Sequence, residues 1–130
     1  MLDRILAPRR IVHAHCDLPC GVYDPAQARI EAESVKACQE KHQGSDDPIF
    51  KERAISIKEQ RADLVKHHLW VLWTDYFKPE HLQAHPQLHD LFWQATKEAG
   101  LAKKSEDSAQ GEKLLGLIDQ IADVFVATKK

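Results

Sequence analysis

An all-α fold is predicted for this chain, an antiparallel up-down-up-down four-helix bundle with an irregular N-terminal segment, and three observations predict it. Apolar residues recur at steps of three and four in four successive segments. Asp, Pro and Gly punctuate the joins between those segments. No stretch alternates apolar and polar residues as a half-buried strand would. With 130 residues, 43% hydrophobic and 29% charged, the chain has the composition of one folded domain and lacks the length for two.

In chain order, residues 1–14 (MLDRILAPRRIVHA) come first. Their apolar patch is interrupted by Asp3, Pro8 and the arginines Arg4, Arg9 and Arg10, which leaves no room for the hydrophobic region of about 7–15 residues in a secretory signal. A cytoplasmic location is expected. Residues 1–14 read as a cleavable leader, with Ala14 small enough for a processing protease and His15 as the new first residue; an ordinary frayed N-terminus is the alternative. Residues 15–23 (HCDLPCGVY) hold Pro and Gly and lie outside the helices, and residues 24–130 form the bundle, so that 15–130 make one domain.

Asp24-Pro25-Ala26-Gln27 opens the first helix, because Asp24 can accept from an orphan amide and Pro25 suits the first turn. This helix runs to Gly44, with Ile30, Ala37 and Cys38 expected on its inner side. Asp46-Asp47-Pro48 opens a longer second helix that ends near Phe77, with an expected inward stripe of Phe50, Ala54, Ile57, Leu64, His68 and Leu72. Pro79 and Pro86 mark a turn before a third helix with Leu88, Leu91, Phe92, Ala95 and Ala99 inward and Gly100 near its end. A polar connection, Lys103–Gly111, leads to the fourth helix, whose inward residues are Leu114, Leu117, Ile118, Ile121, Val124 and Phe125.

Composition excludes several functions. Eighteen basic and twenty acidic residues give a formal charge of −2, so no general attraction for nucleic acid or anionic lipid follows. No run approaches the ~18 consecutive apolar residues of a membrane-spanning helix.

The chemistry concentrates between His15 and Tyr23. Cys16 and Cys20 lack the further Cys or His ligands of a structural zinc site. A disulfide between them is one reading. A metal hook is the other. With His15 as terminus, its α-amine and the amide nitrogen of Cys16 form a five-membered chelate ring, and the thiolates of Cys16 and Cys20 complete a square of two nitrogens and two sulfurs. At metal–sulfur bonds of about 2.3 Å the two sulfurs stand roughly 3.3 Å apart, a span that a loop bent at Pro19 supplies. The His15 imidazole is left for an axial position. Only metals that gain strongly from planar donation ionise a peptide nitrogen at neutral pH, which points to copper or nickel, and thiols reduce Cu(II). Nickel is the expected ion, with a hook suited to one-electron cycling.

The stretch His15-Cys16-Asp17-Leu18-Pro19-Cys20-Gly21-Val22-Tyr23 resembles the nickel hook of the nickel-containing superoxide dismutase family, and the likeness continues through DPAQARIEAESVKA, IKEQRA, KHH and DYFKP. It spans nearly all of residues 15–130. The resemblance implies a precursor cut before His15, a homohexamer of four-helix subunits with one nickel ion each, and disproportionation of superoxide to dioxygen and hydrogen peroxide. It implies that Cys16 and Cys20 are permanent ligands, that the His15 imidazole binds in the oxidised state, and that Asp17, Pro19, Glu31 and Arg61 support the ligands, the last two as partners of the imidazole. Arg61 has separate support, since a charge set between Ile57 and Leu64 needs a partner; an arginine with its stem inward and its head in water is the plainer reading. Tyr23 is expected over the open face of the metal, and Tyr76 and Lys78 are further family positions near the site, where Lys78 can draw an anion. Cys38 does not belong to the family pattern and reads as a small apolar residue.

Other clusters read as ordinary surface or core. His81, His85 and His89 repeat every four residues, but Pro86 interrupts the spacing. His67 and His68 cannot face one point on a helix. Trp70, Trp73 and Trp93 exceed what a small core requires, so that core packing and a subunit interface both stand open. Two readings compete with the enzyme: a nickel or copper carrier that uses the same hook without turnover, and a structural bundle with a Cys16–Cys20 disulfide.

Overall fold

A computed structural model describes residues 21–129 of the chain. Four long helices form an antiparallel bundle: α1 (Ala26–Gln43), α2 (Pro48–Val71, continued by a π-helical turn Leu72–Tyr76), α4 (Leu88–Lys104) and α5 (Ser108–Thr128). A short helix, α3 (Pro79–Ala84), crosses from α2 to α4. The helix α1 packs on α2 and α5, and α4 packs on the same two.

Three of the four long helices, α1, α2 and α5, start at an Asp whose carboxylate accepts from an amide two residues on. The Asp24 carboxylate accepts from Ala26 N at 2.9 Å. Asp47 accepts from Ile49 N at 3.1 Å and Asp107 from Ala109 N at 2.9 Å, each contributing about 1 kcal/mol to its helix. The two loops share one device: Ser45 Oγ accepts from Asp47 N, and Ser105 Oγ accepts from Asp107 N. The second of these shortens the expected Lys103–Gly111 connection to Ser105–Asp107, because α4 passes through Gly100 and the Asp107 cap starts α5 early.

The core is built from Ala28, Ala32 and Val35 of α1, Ala62, Val65, Leu69 and Leu72 of α2, Leu88, Phe92, Ala95, Ala99 and Ala102 of α4, and the six expected residues of α5. The stripes of α4 and α5 follow expectation; those of α1 and α2 are rotated. Ile30 is 59% exposed, and Phe50 and Leu64 are also exposed, while Cys38, Ile57 and His68 are half-buried. On α2 the buried series is Ala54, Lys58, Ala62, Val65 and Leu69. Small alanines face inward because α1 and α2 pack closely along most of their length, which displaces bulkier side chains toward the rim.

Polar groups are buried at the end of the bundle where the α4–α5 loop lies. Lys58, 1% exposed, donates to Ser105 O at 2.8 Å and to Glu106 Oε1 at 2.7 Å, and this ammonium holds the Glu106 carboxyl below the usual carboxylate range. Gln39, fully buried, donates to Ala102 O at 3.2 Å and Ser105 O at 3.0 Å. Both side chains therefore satisfy carbonyls at the end of α4 that have no helical partner.

Gly111 shows how tight this end is. A Cβ there would stand 2.8 Å from Lys36 Cα and 2.6 Å from Gln39 Oε1. Alanine normally stabilises a helix interior by about 1 kcal/mol over glycine. At this position Gly111→Ala is expected to destabilise the fold by about 1–3 kcal/mol, as overpacking does, measured by urea unfolding of the two proteins. A variant as stable as the parent would mean that α1 and α5 separate at no cost.

Candidate active site

The hook donors His15, Cys16 and Cys20, with Asp17 and Pro19, lie outside the described residues, as does the leader 1–14. The description begins at Gly21, whose φ of +72° is a left-handed conformation that residues with a Cβ rarely adopt. From Gly21 the chain passes through Val22 and Tyr23 into the Asp24 cap of α1.

Tyr23 is held against Tyr76, with ring centroids 5.7 Å apart. Tyr76 lies in the π-helical turn at the end of α2, where one extra residue per turn rotates its ring away from the preceding helical stripe. An aromatic box surrounds it: Phe125 of α5 at 4.6 Å, Phe77 at 5.0 Å, and the His81 ring stacked at 5.7 Å. The Lys129 ammonium stands 5.0 Å from the Tyr76 and Phe125 ring centres. Lys78 is exposed two residues on, and its backbone N–H donates to His81 Nδ1 at 3.1 Å, which closes the first turn of α3.

Glu31 and Arg61 meet across the α1–α2 seam. Arg61 Nη1 donates to both Glu31 oxygens, at 3.3 and 3.2 Å. The Glu31 side chain is only 16% exposed, whereas that of Arg61 is 41% exposed, so the arginine head keeps water on one side and a carboxylate on the other. Two residues of the same seam respond to burial. It pushes the His68 imidazole below the ordinary histidine range, joined by the neighbouring His67 and opposed by Glu31. It also pushes the Cys38 thiol up, opposed by the nearby cations Arg61, Lys41 and Lys58. Cys38 is therefore a protonated, half-buried thiol with no disulfide partner among the described residues.

The structure thus pairs Tyr23 with Tyr76 near the start of α1 and Glu31 with Arg61 on the seam, while Lys78 follows Tyr76 by two residues and contacts His81. Five residues of α1 separate Ala26 from Glu31, about 7.5 Å of helix rise. Phe125, expected only as a core residue, and Thr128 and Lys129 reach Tyr76 from the far end of the chain; residues at a helix terminus carry no sequence signal of such a contact. Trp70 and Trp93 are 53% and 58% exposed and border a cavity of about 210 Å³ with Trp73, His89 and Phe92, so that of the three tryptophans only Trp73 packs on the core.

Among the described residues no group of three or more His, Cys, Asp or Glu side chains could hold a metal ion. His81 stacks on Tyr76, His85 ends α3 and His89 meets Trp73 edge-on, so the repeat does not converge. Nor is any helix among them long and apolar enough to cross a membrane.

Comparison with known proteins places these features. The model of the family described as nickel-containing superoxide dismutase matches residues 10–129. The chain is 61% identical over its 130 residues to the superoxide dismutase [Ni] of Streptomyces coelicolor (strain ATCC BAA-471 / A3(2) / M145), covering 99% of that protein, and equally so to that of Streptomyces seoulensis. Among solved structures, a native nickel superoxide dismutase superposes with a TM-score of 0.87 at 62% identity, covering 89% of this chain and 100% of the other. The apo structure of a nickel superoxide dismutase superposes at 0.82 and 60% identity, covering 84% of this chain and 98% of that one. By matches of that extent, the chain belongs to the nickel-containing superoxide dismutase family.

Proposed function

We propose that this chain is the precursor of a superoxide dismutase that carries one nickel ion in a hook beginning at His15. One superoxide is oxidised to dioxygen, and a second takes up that electron with two protons and leaves as hydrogen peroxide. The observation that carries the reading is the His15–Tyr23 stretch leading into a bundle that sets Tyr23 against Tyr76 and ties Glu31 to Arg61. The residues fit the group: the His15 amine and imidazole, the Cys16 amide nitrogen and the thiolates of Cys16 and Cys20 would hold the ion, a nitrogen and sulfur donor set that suits nickel. When bound, nickel supplies the Ni(II)/Ni(III) couple for both half-reactions.

The chain's own residues do the rest. Glu31 would accept from the His15 ring, and Arg61, which donates to both Glu31 oxygens, holds that carboxylate in place for it. Tyr23 restricts entry to small species and holds water or peroxide by its hydroxyl, which limits oxidation of the neighbouring thiolates. Lys78 and Lys129 place positive charge beside the aromatic box and draw the superoxide anion against a net negative chain.

Processing is part of the proposal. The terminal amine that the donor set uses exists only if the chain is cut before His15, and the small residue Ala14 that precedes it suits a processing protease. A homohexamer is also proposed, supported by the exposure of Trp70 and Trp93, aromatic residues of the kind that subunit contacts bury. We place the protein in the cytoplasm, since the leader lacks a secretory hydrophobic region.

Mass spectrometry of the native protein, for N-terminus and metal together, with a direct measurement of superoxide decay, tests the reading. The expected result is a chain beginning at His15, one nickel per subunit and catalytic decay. Bound nickel without turnover would instead indicate the carrier, and a Cys16–Cys20 disulfide without metal the structural bundle.

A further inference from the structure

Tyr76 carries a hydrogen bond whose direction can be deduced. Its hydroxyl stands 2.7 Å from Thr128 Oγ1, and Thr128 Oγ1 stands 2.6 Å from the backbone oxygen of Phe125. A carbonyl oxygen only accepts, so the single Thr128 proton goes to Phe125, and the Thr128 oxygen is left to accept. The Tyr76 proton must then point at Thr128. The phenol oxygen keeps its lone pairs for whatever stands on its other side.

We propose that Thr128 is a positioning residue of the dismutation site, which takes the Tyr76 phenol proton and so leaves Tyr76 as a hydrogen-bond acceptor only. The inference rests on the superoxide reading above and adds a specificity to it. Superoxide is an acceptor with no proton to give, whereas water and hydrogen peroxide can donate. An acceptor-only Tyr76 holds the proton-carrying species and offers no hydrogen bond to the anion. The arrangement has support around it. Phe125 both supplies the carbonyl and packs on the Tyr76 ring at 4.6 Å, and Lys129, which directly follows Thr128, lies over that ring. The last turn of α5 thus fixes ring, proton and local charge together.

The test uses nickel-loaded protein and compares Thr128→Val, which keeps the shape and loses the hydroxyl, with Thr128→Ser, which keeps it. The chain has two tyrosines, so a Tyr23→Phe background isolates Tyr76 in a Raman spectrum, where the tyrosine Fermi doublet reports whether the phenol donates or accepts. The parent and Thr128→Ser are expected to show a strongly donating phenol, and Thr128→Val a shift away from it. In the Tyr23-containing proteins, azide, an anion that like superoxide can only accept, is expected to inhibit Thr128→Val at about five-fold lower concentration, the worth of one hydrogen bond of about 1 kcal/mol. An unchanged doublet, or equal azide inhibition in all three, overturns the proposal. Absence of superoxide decay in the nickel-loaded parent overturns the reading beneath it, while the doublet still reports the Tyr76 proton.

Discussion

A chain that retains residues 1–14 is expected to bind nickel poorly and to catalyse superoxide decay at least about a hundred-fold more slowly than one starting at His15. The chemistry of one nitrogen decides this. In the uncut chain the His15 nitrogen is an amide joined to Ala14, its lone pair delocalised into the carbonyl. It could donate only after losing a proton, in addition to the one already lost from the Cys16 amide. Misplacing a reacting group by about 1 Å can cost a hundred-fold on its own. The discriminating protein is one that keeps the single residue Ala14 before His15, its start verified by mass spectrometry. Full activity there would end the terminal-amine account, whatever the leader does otherwise.

Changing His15 to Gln is expected to leave about one nickel per subunit while lowering turnover by roughly 10²-fold, in the range that supporting contacts around a metal command. The α-amine, the Cys16 amide and both thiolates survive this substitution; the imidazole alone is lost. Glu31 would then face a neutral amide, and the Arg61–Glu31 pair would be left without the ring it orients. The measurements are metal content by elemental analysis and the rate of superoxide decay per nickel. An unaffected rate removes the axial role of the imidazole and the purpose assigned to Glu31. Loss of nickel together with activity would make the imidazole a structural ligand instead.

The helices were legible because their causes are local. Asp24, Asp47 and Asp107 each accept from an amide two residues on, a contact that needs nothing from the rest of the molecule. The stripes of α4 and α5 were legible for the same reason, since their apolar residues are large and leave little choice of face. On α1 and α2 the inward face is mostly alanine, with Lys58 and Gln39 buried among it, so residue hydrophobicity pointed to Ile30, Phe50 and Leu64, which the bundle leaves exposed. A lysine goes inward when carbonyls wait for it, and those carbonyls belong to the α4–α5 loop, more than forty residues away.

The same division runs through the site. The nine residues from His15 to Tyr23 by themselves pointed to nickel, the metal of the family to which the chain belongs, because the nitrogen and sulfur donors proposed for it are neighbours in the chain. That Glu31 would meet Arg61, that Tyr23 would rest on Tyr76, and that Thr128 would take the Tyr76 proton were decided only when four helices packed. Those partners are separated by 30, 53 and 52 positions, and a contact at such a distance depends on which faces the core draws together rather than on any pattern within a single segment.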